Sequence, residues 1–224
     1  FRSASTPTRQ DRDLISLFTP ERLMKLTKYF VLYDANVKKI CRYQQFFAAM
    51  IVRQRISEGV QSGIIWHTQG SGKTALAYFS VGTLTDYYAK KGIIPKFYFI
   101  VDRIDLAIQA ASEFNKRGLK VRTVNSREEL NKEFANNTAT TSGQNEICVV
   151  NSQKFKDDTT VFDNSGYDIK VQRGFFLDEA HRSYNPKGSF LANLYGSDKD
   201  SVKIALTGTP LIIRESEDGK KLSH

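Results

Sequence analysis

Gly63-Ile64-Ile65-Trp66-His67-Thr68-Gln69-Gly70-Ser71-Gly72-Lys73-Thr74 is the stretch on which the fold turns. A short apolar run leads into a glycine-rich loop, and the loop leads into a helical stretch reaching from Lys73 to about Lys90. Gly70 and Gly72 can take backbone angles closed to other residues, so successive N–H groups can turn inward on phosphate oxygens. A helix starting at Lys73 adds the positive end of its dipole. The Lys73 ammonium would neutralise the β/γ-phosphates of a nucleoside triphosphate, and the Thr74 hydroxyl would ligate Mg2+. Thr68, Gln69, Gly70, Ser71 and Gly72 complete the phosphate cradle. The eight-residue P-loop pattern begins with glycine, where this chain has His67. The competing explanation, a glycine-rich turn that only caps a helix, does not account for Gly-Lys-Thr between a strand and a helix.

The same alternation repeats along the chain. Strand-like apolar runs are Phe97-Val101, Val121-Val124, Ile147-Asn151, Gly174-Asp178 and Val202-Leu206, with helical stretches at Ile104-Arg117 and Arg127-Ala135. Runs that do not alternate with polar residues predict strands buried on both faces, as a parallel sheet requires. Strands alternating with helices predict an α/β fold with a mainly parallel, doubly wound sheet. Upstream, residues 1–19 read as an irregular segment. Thr19-Pro20 then starts a helix on which Leu23, Leu26, Phe30 and Val31 recur at helical spacing. A second helix runs from about Arg42 to Ser57. The domain boundaries that follow are 1–41 for a linker and helix leading in, 42–213 for the nucleotide-binding domain, and 214–224 for a polar tail that looks cut. The chain starts at Phe1 without an initiator Met, and the expectation is a piece of something longer.

A second chemical signal is Gly174-Phe175-Phe176-Leu177-Asp178-Glu179-Ala180-His181, an apolar strand ending in two carboxylates. Ligands of a parallel sheet bind beyond the carboxyl ends of its strands, so both acids are expected to face the phosphate loop. Asp178 suits the Mg2+ shell, and Glu179 suits positioning and deprotonating an attacking water. Alone, His181 would read as structural; beside these carboxylates it reads as functional. The third piece is Leu206-Thr207-Gly208-Thr209-Pro210, whose hydroxyls at Thr207 and Thr209 could couple the nucleotide state to a neighbouring surface. By itself it would be only a turn.

Bulk composition narrows the partners. Lys and Arg number 33 against 24 Asp and Glu, a formal net charge of +9, which favours a polyanionic partner. With 40% hydrophobic and 12% aromatic residues a core can form. Cys41 and Cys148 are far apart, and neither belongs to a metal-ligand pair, so a zinc site is not expected and the compartment reads as reducing. No apolar run is long enough to span a bilayer, so no membrane partner is expected.

The three motifs in this order resemble helicase superfamily 2, whose loops relax the position of His67 while GTPases keep its glycine. A narrower resemblance is to the motor subunit of type I restriction enzymes. It is carried by Trp66 to Thr74, Val101-Asp102-Arg103-Ile104-Asp105-Leu106, Ser152-Gln153-Lys154-Phe155, Asp178-Glu179-Ala180-His181-Arg182-Ser183 and Thr207-Gly208-Thr209-Pro210-Leu211. Arg42-Tyr43-Gln44-Gln45-Phe46-Phe47-Ala48 is similar to that family's adenine-reading segment, with Gln45 at the position expected to bond the adenine edge and Arg42 beside it. Pro20-Glu21-Arg22-Leu23 through Phe30-Val31-Leu32-Tyr33-Asp34 has the family's character too, so the resemblance covers nearly all the chain. It implies a first RecA-like motor domain that binds ATP and Mg2+ and grips double-stranded DNA, in the cytoplasm of a prokaryote. It implies further partners: modification and specificity subunits, and a second motor domain and a nuclease domain on the same full-length chain. Neither of those domains is seen in this sequence; Asp218-Gly219-Lys220 spells Asp-x-Lys but in a polar tail. Without an arginine finger from the second motor domain, ATP hydrolysis by this chain is expected to be weak.

Val101-Asp102-Arg103 ends a strand on the sheet edge of the phosphate loop and by the family resemblance begins a backbone-contacting motif, so Arg103, and Lys154 after another strand, are the expected contacts to DNA phosphates. Three other readings stay open. One is a repair or remodelling translocase of the same superfamily, one is a non-motor P-loop ATPase, and one is a binding module that has lost catalysis. Lys73, Asp178 and Glu179 argue against the last. A G-protein lacks support, because the nearest approach to Asn-Lys-x-Asp is Asn131-Lys132-Glu133-Phe134.

Overall fold

The computed structural model describes residues 8–34, 36–135, 145–152, 171–178 and 198–209, with the short pairs 214–215 and 221–222. Along the chain run α1 (Arg9–Leu17), α2 (Pro20–Tyr29), β1 (Val31–Asp34), β2 (Val37–Ile40), α3 (Tyr43–Ser57), β3 (Ser62–Trp66), α4 (Lys73–Ala89) and β4 (Ile94–Val101). They are followed by α5 (Ile104–Lys116), β5 (Lys120–Val124), α6 (Arg127–Ala135), β6 (Glu146–Asn151), β7 (Val171–Asp178), β8 (Val202–Thr207), β9 (Arg214–Glu215) and β10 (Lys221–Leu222).

Six strands form one sheet in the order β3-β8-β7-β4-β6-β5, and every neighbouring pair is parallel. The continuous apolar runs are the buried strands, as expected: Phe97 to Val101, Ile147 to Val150 and Phe175 to Leu177 are all nearly inaccessible. Alternate residues serve opposite faces. Phe97, Phe99, Val101, Ile147, Val149 and Phe176 pack in one core with α4 and α5. Tyr98, Ile100, Cys148, Val150, Phe175 and Leu177 pack in a second core with Leu130 and Phe134 of α6. Helices on both faces make the sheet doubly wound. Gly174 of β7 makes room for this packing, since a Cβ there would stand 3.0 Å from the Phe97 ring.

The central helix α4 is apolar nearly all round, because it lies between the sheet and the helices outside it. Leu76, Ala77, Phe79, Val81 and Leu84 are each at most 1% exposed. Phe30, just past α2, is fully buried, with its ring 4.8 Å from Phe46 of α3 and 5.3 Å from Phe79 of α4. The segment ahead of residue 42 thus contributes to the same core as the sheet.

Three local expectations differ from the structure. Residues 9–17 are helical where an irregular segment was expected. Thr8 caps this helix through a capping box: its hydroxyl accepts from Asp11 N at 3.2 Å, while the Asp11 carboxylate accepts from Thr8 N at 3.0 Å. The helical spacing through Val31 breaks at Phe30, after which β1 and β2 form an antiparallel hairpin whose turn includes Asn36 at φ 63°. Two four-residue strands are too short for periodicity to reveal, although Asn at positive φ is a turn signal. In the polar tail, β9 and β10 pair antiparallel, Lys221 opposite Glu215.

The topology positions the site. The chain leaves β3, crosses on α4 to β4, and only later inserts β8 and β7 between them. The carboxyl ends of β3, β8 and β7 consequently stand side by side.

Candidate functional site

The loop after β3 has the conformation its glycines permit. Gly70 and Gly72 sit at φ +77° and +81°, and Gly72 is the N-cap of α4. Ser71 N donates to Thr68 O at 3.2 Å, which closes the turn. Thr68, Gln69 and Gly70 are exposed, whereas Ser71, Gly72, Lys73 and Thr74 are half-buried at the helix start. The Ser71 hydroxyl and His67 Nδ1 are buried without a hydrogen-bond partner. An orphaned hydroxyl, a left-handed glycine cradle and the N-terminus of a seventeen-residue helix together fit a phosphate chain. Thr74 in the first helical turn fits a divalent cation shared with that chain. Burial, and secondarily the Lys73 ammonium, hold the His67 imidazole below its usual range, so the ring is neutral beside the loop.

Strand register brings the second and third motifs to the loop. Trp66 of β3 is opposite Thr207 of β8, and Leu206 of β8 is opposite Asp178 of β7. At about 4.8 Å between neighbouring strands, Asp178 lies roughly 10 Å from the β3 end, with β8 between them. His67 N donates to Thr207 O at 3.0 Å. Thr207 is buried, and its hydroxyl accepts from Thr209 N at 3.2 Å, while Thr209 itself is exposed. Glu179, His181 and Lys154 lie outside the described residues. Among the described residues no three His, Cys, Asp or Glu side chains gather to hold a metal ion.

Two contacts were not foreseen from sequence. Trp66 Nε1 donates to Gly208 O at 3.0 Å, tying the strand that launches the loop to the third motif. Gly208 lies so close to the loop that a Cβ on it would stand 3.4 Å from Gln69 N, 3.6 Å from His67 O and 3.8 Å from Lys73 Nζ. The sequence signal for both was the placement of the chain's one tryptophan directly before the loop, and of a glycine between two threonines.

Gln45 is brought to the same place from α3. It is buried, and its amide is shared between its own helix and the loop. Its Oε1 accepts from Arg42 N at 2.9 Å, while Nε2 donates to Ser71 O at 3.2 Å and Gly72 O at 3.1 Å. Arg42 reaches Gly70 O at 3.4 Å through a guanidinium nitrogen. With both amide protons committed to the loop, Gln45 retains acceptor capacity but must release a loop carbonyl to donate elsewhere. Arg103, the N-cap of α5, is exposed at the same end of the sheet beyond β4. The end of β4 is held by Ser152, whose hydroxyl donates to Val101 O at 3.1 Å.

The chain is similar to known proteins in sequence and in fold. The chain is 27% identical to the type I restriction enzyme HindI endonuclease subunit of Haemophilus influenzae over 91% of its length and 21% of that protein's. It is 32% identical to the type I restriction enzyme SauCOLORF180P endonuclease subunit of Staphylococcus aureus over 45% of this chain and 11% of the relative. The chain thus spans only a small part of the curated relatives it matches. Among solved structures, a Sulfolobus solfataricus SWI2/SNF2 ATPase core in complex with dsDNA matches 80% of this chain and 33% of its own, with a TM-score of 0.50 at 17% identity. T4 UvsW matches 85% of this chain and 34% of its own, with a TM-score of 0.52 at 17% identity. Both likenesses confirm the RecA-like fold. The resemblance to type I restriction subunits holds, and the SWI2/SNF2 ATPase family profile matches residues 44–223: the chain belongs to the SWI2/SNF2 ATPase family.

Proposed function

We propose that this chain is the first RecA-like motor domain of a type I restriction endonuclease subunit, an ATP-driven translocase on double-stranded DNA. The observation that supports it most is the meeting of the glycine loop, Asp178 and Thr207-Gly208-Thr209 at the ends of three adjacent strands, with Gln45 seated on the loop. In this reading Thr68, Gln69, Gly70, Ser71 and Gly72 cradle the ATP phosphates and Lys73 neutralises the developing charge on the transferred group. Thr74 and Asp178 hold Mg2+, and Glu179 activates the attacking water. Arg42 and Gln45 meet the adenine, and Gln45 passes its arrival to the loop carbonyls. His181, Thr207 and Thr209 couple the nucleotide state to the DNA face, where Arg103 and Lys154 grip phosphates.

The domain boundaries of this reading are 1–41, 42–213 and 214–224. A second motor domain and a nuclease domain on the parent chain, with modification and specificity subunits, complete a cytoplasmic assembly. Among the described residues no helix is long and apolar enough to cross a membrane. A second reading, a repair or remodelling translocase, shares every ATP-site role and differs only in these partners.

Duplex binding measured against salt tests the DNA half of the proposal. Affinity should be independent of sequence, and Arg103→Ala should reduce the slope of log K against log salt by about one, the value for one phosphate contact. An unchanged slope, or a strong preference for one sequence, would contradict it.

A further inference from the structure

Trp66 is the last residue of β3 and the chain's one tryptophan, yet its ring contributes little packing. It is 65% exposed and belongs to neither hydrophobic core, and Ile64, two residues before it on the same face, is 67% exposed. Tryptophan is highly buried on average, so packing does not account for its place here. The polar group of the ring is engaged. Its Nε1 donates to Gly208 O at 3.0 Å, and among the described residues no other donor meets that carbonyl.

Gly208 O and Thr209 N belong to one planar peptide unit and point opposite ways across it. Thr209 N donates to the Thr207 hydroxyl at 3.2 Å, so the unit is held at both edges, by the indole on one side and by buried Thr207 on the other. Thr207 is in turn fixed to the loop, its carbonyl accepting from His67 N at 3.0 Å. Gly208 also borders two groups of the phosphate cradle, since a Cβ on it would stand 3.4 Å from Gln69 N and 3.8 Å from Lys73 Nζ. A glycine leaves the backbone on either side of it free to turn, and a displacement arriving there would be lost in that turn. The bond from Trp66 restrains the turn at the carbonyl.

We propose that Trp66 is the positioning residue of the third motif: its indole N–H pins the Gly208 carbonyl, so that a shift of the loop and Lys73 on nucleotide binding tilts the Gly208–Thr209 peptide and moves exposed Thr209 instead of being absorbed at Gly208. This deepens the translocase reading and rests on it, because there Thr209 is the link to the DNA face. Trp66 touches neither nucleotide nor DNA in this role. It governs the coupling of the two binding events and leaves each one by itself intact.

The test replaces tryptophan biosynthetically by benzothienylalanine, which puts sulfur in place of the indole N–H; with one tryptophan in the chain, only position 66 changes. Duplex affinity is measured with and without a saturating non-hydrolysable Mg-ATP analogue. In the parent the analogue should change duplex affinity at least about fivefold, the lower end of ordinary coupling between sites. The sulfur-substituted chain should bind analogue and duplex separately as the parent does, with the coupling factor reduced to about one. Fluorotryptophan keeps the N–H and should keep the parent's coupling, so that altering the ring and losing its N–H are told apart. Trp66→Phe should reproduce the loss of coupling if the sulfur-substituted chain folds poorly. Coupling that survives loss of the N–H, coupling lost equally with fluorotryptophan, or a parent that binds both partners without coupling would overturn the proposal. A parent that fails to bind the analogue or the duplex would refute the translocase reading, and this proposal with it.

Discussion

Gly72→Ala against Gly70→Ala separates two demands that the loop makes on its glycines. Both residues sit at positive φ, +81° and +77°, so each alanine would incur left-handed strain of about 1–2 kcal/mol. Their surroundings differ. A Cβ at Gly70 meets nothing within 4 Å, whereas a Cβ at Gly72 would stand 2.6 Å from Gln45 Nε2. Gln45 is buried and cannot retreat while keeping its bonds to Ser71 O and Gly72 O. Breaking them removes two hydrogen bonds of about 1 kcal/mol each and leaves a buried amide poorly satisfied. Gly70→Ala should therefore lose about 1–2 kcal/mol and Gly72→Ala about 3–5 kcal/mol. Urea denaturation reads the stability, and binding of a fluorescent ATP analogue reads the loop. Gln45→Ala in the Gly72→Ala background should recover part of the loss, giving a coupling energy of about 1–2 kcal/mol in a double-mutant cycle. Equal effects of the two alanines, or no coupling to Gln45, would refute the reasoning that Gln45 braces the loop.

Trp66 is the chain's one tryptophan, 65% exposed and hydrogen-bonded to Gly208 O. Its emission should shift when Mg-ATP fills the loop and should stay constant in Lys73→Ala; unchanged emission at calorimetrically verified saturation would show that the two motifs move together or not at all. His67 carries a depressed pKa, so above about pH 6.5 both folded and unfolded states hold it neutral and its contribution to stability is complete. As pH falls through that value the unfolded state takes up the proton first, and stability is lost down to the folded pKa. His67→Gln should show a smaller fall in Tm between pH 7.5 and 5.5 than the parent, and identical falls would contradict the burial argument.

Much of this was legible in the sequence because its signals were local. A P-loop read from Gly70, Gly72 and Lys73 needs only a strand before it and a helix after it, and both are there. The parallel sheet was legible because β4, β6 and β7 are buried on both faces and so lack alternation. The hairpin of Val31–Asp34 and Val37–Ile40 was not, since two short strands carry no period, and neither was α1, whose apolar residues remain largely exposed. Strand order was also out of reach. Only the register of β3 with β8 and β8 with β7 reveals that Gly208 lies on the loop and that Trp66 can reach it. The double engagement of Gln45 was hidden for the same reason, because a resemblance names an adenine partner but cannot show what holds the amide meanwhile.

Equilibrium binding of Mg-ATP to this chain, with GTP as competitor, is the most direct test of the nucleotide site. The parent should bind ATP in preference to GTP, and Gln45→Ala should bind more weakly. Lys73→Ala should lose about 1.5–3 kcal/mol, roughly ten- to hundredfold in Kd, as expected for a hydrogen bond to a charged group. Tight ATP binding indifferent to Lys73 would contradict the account at its centre.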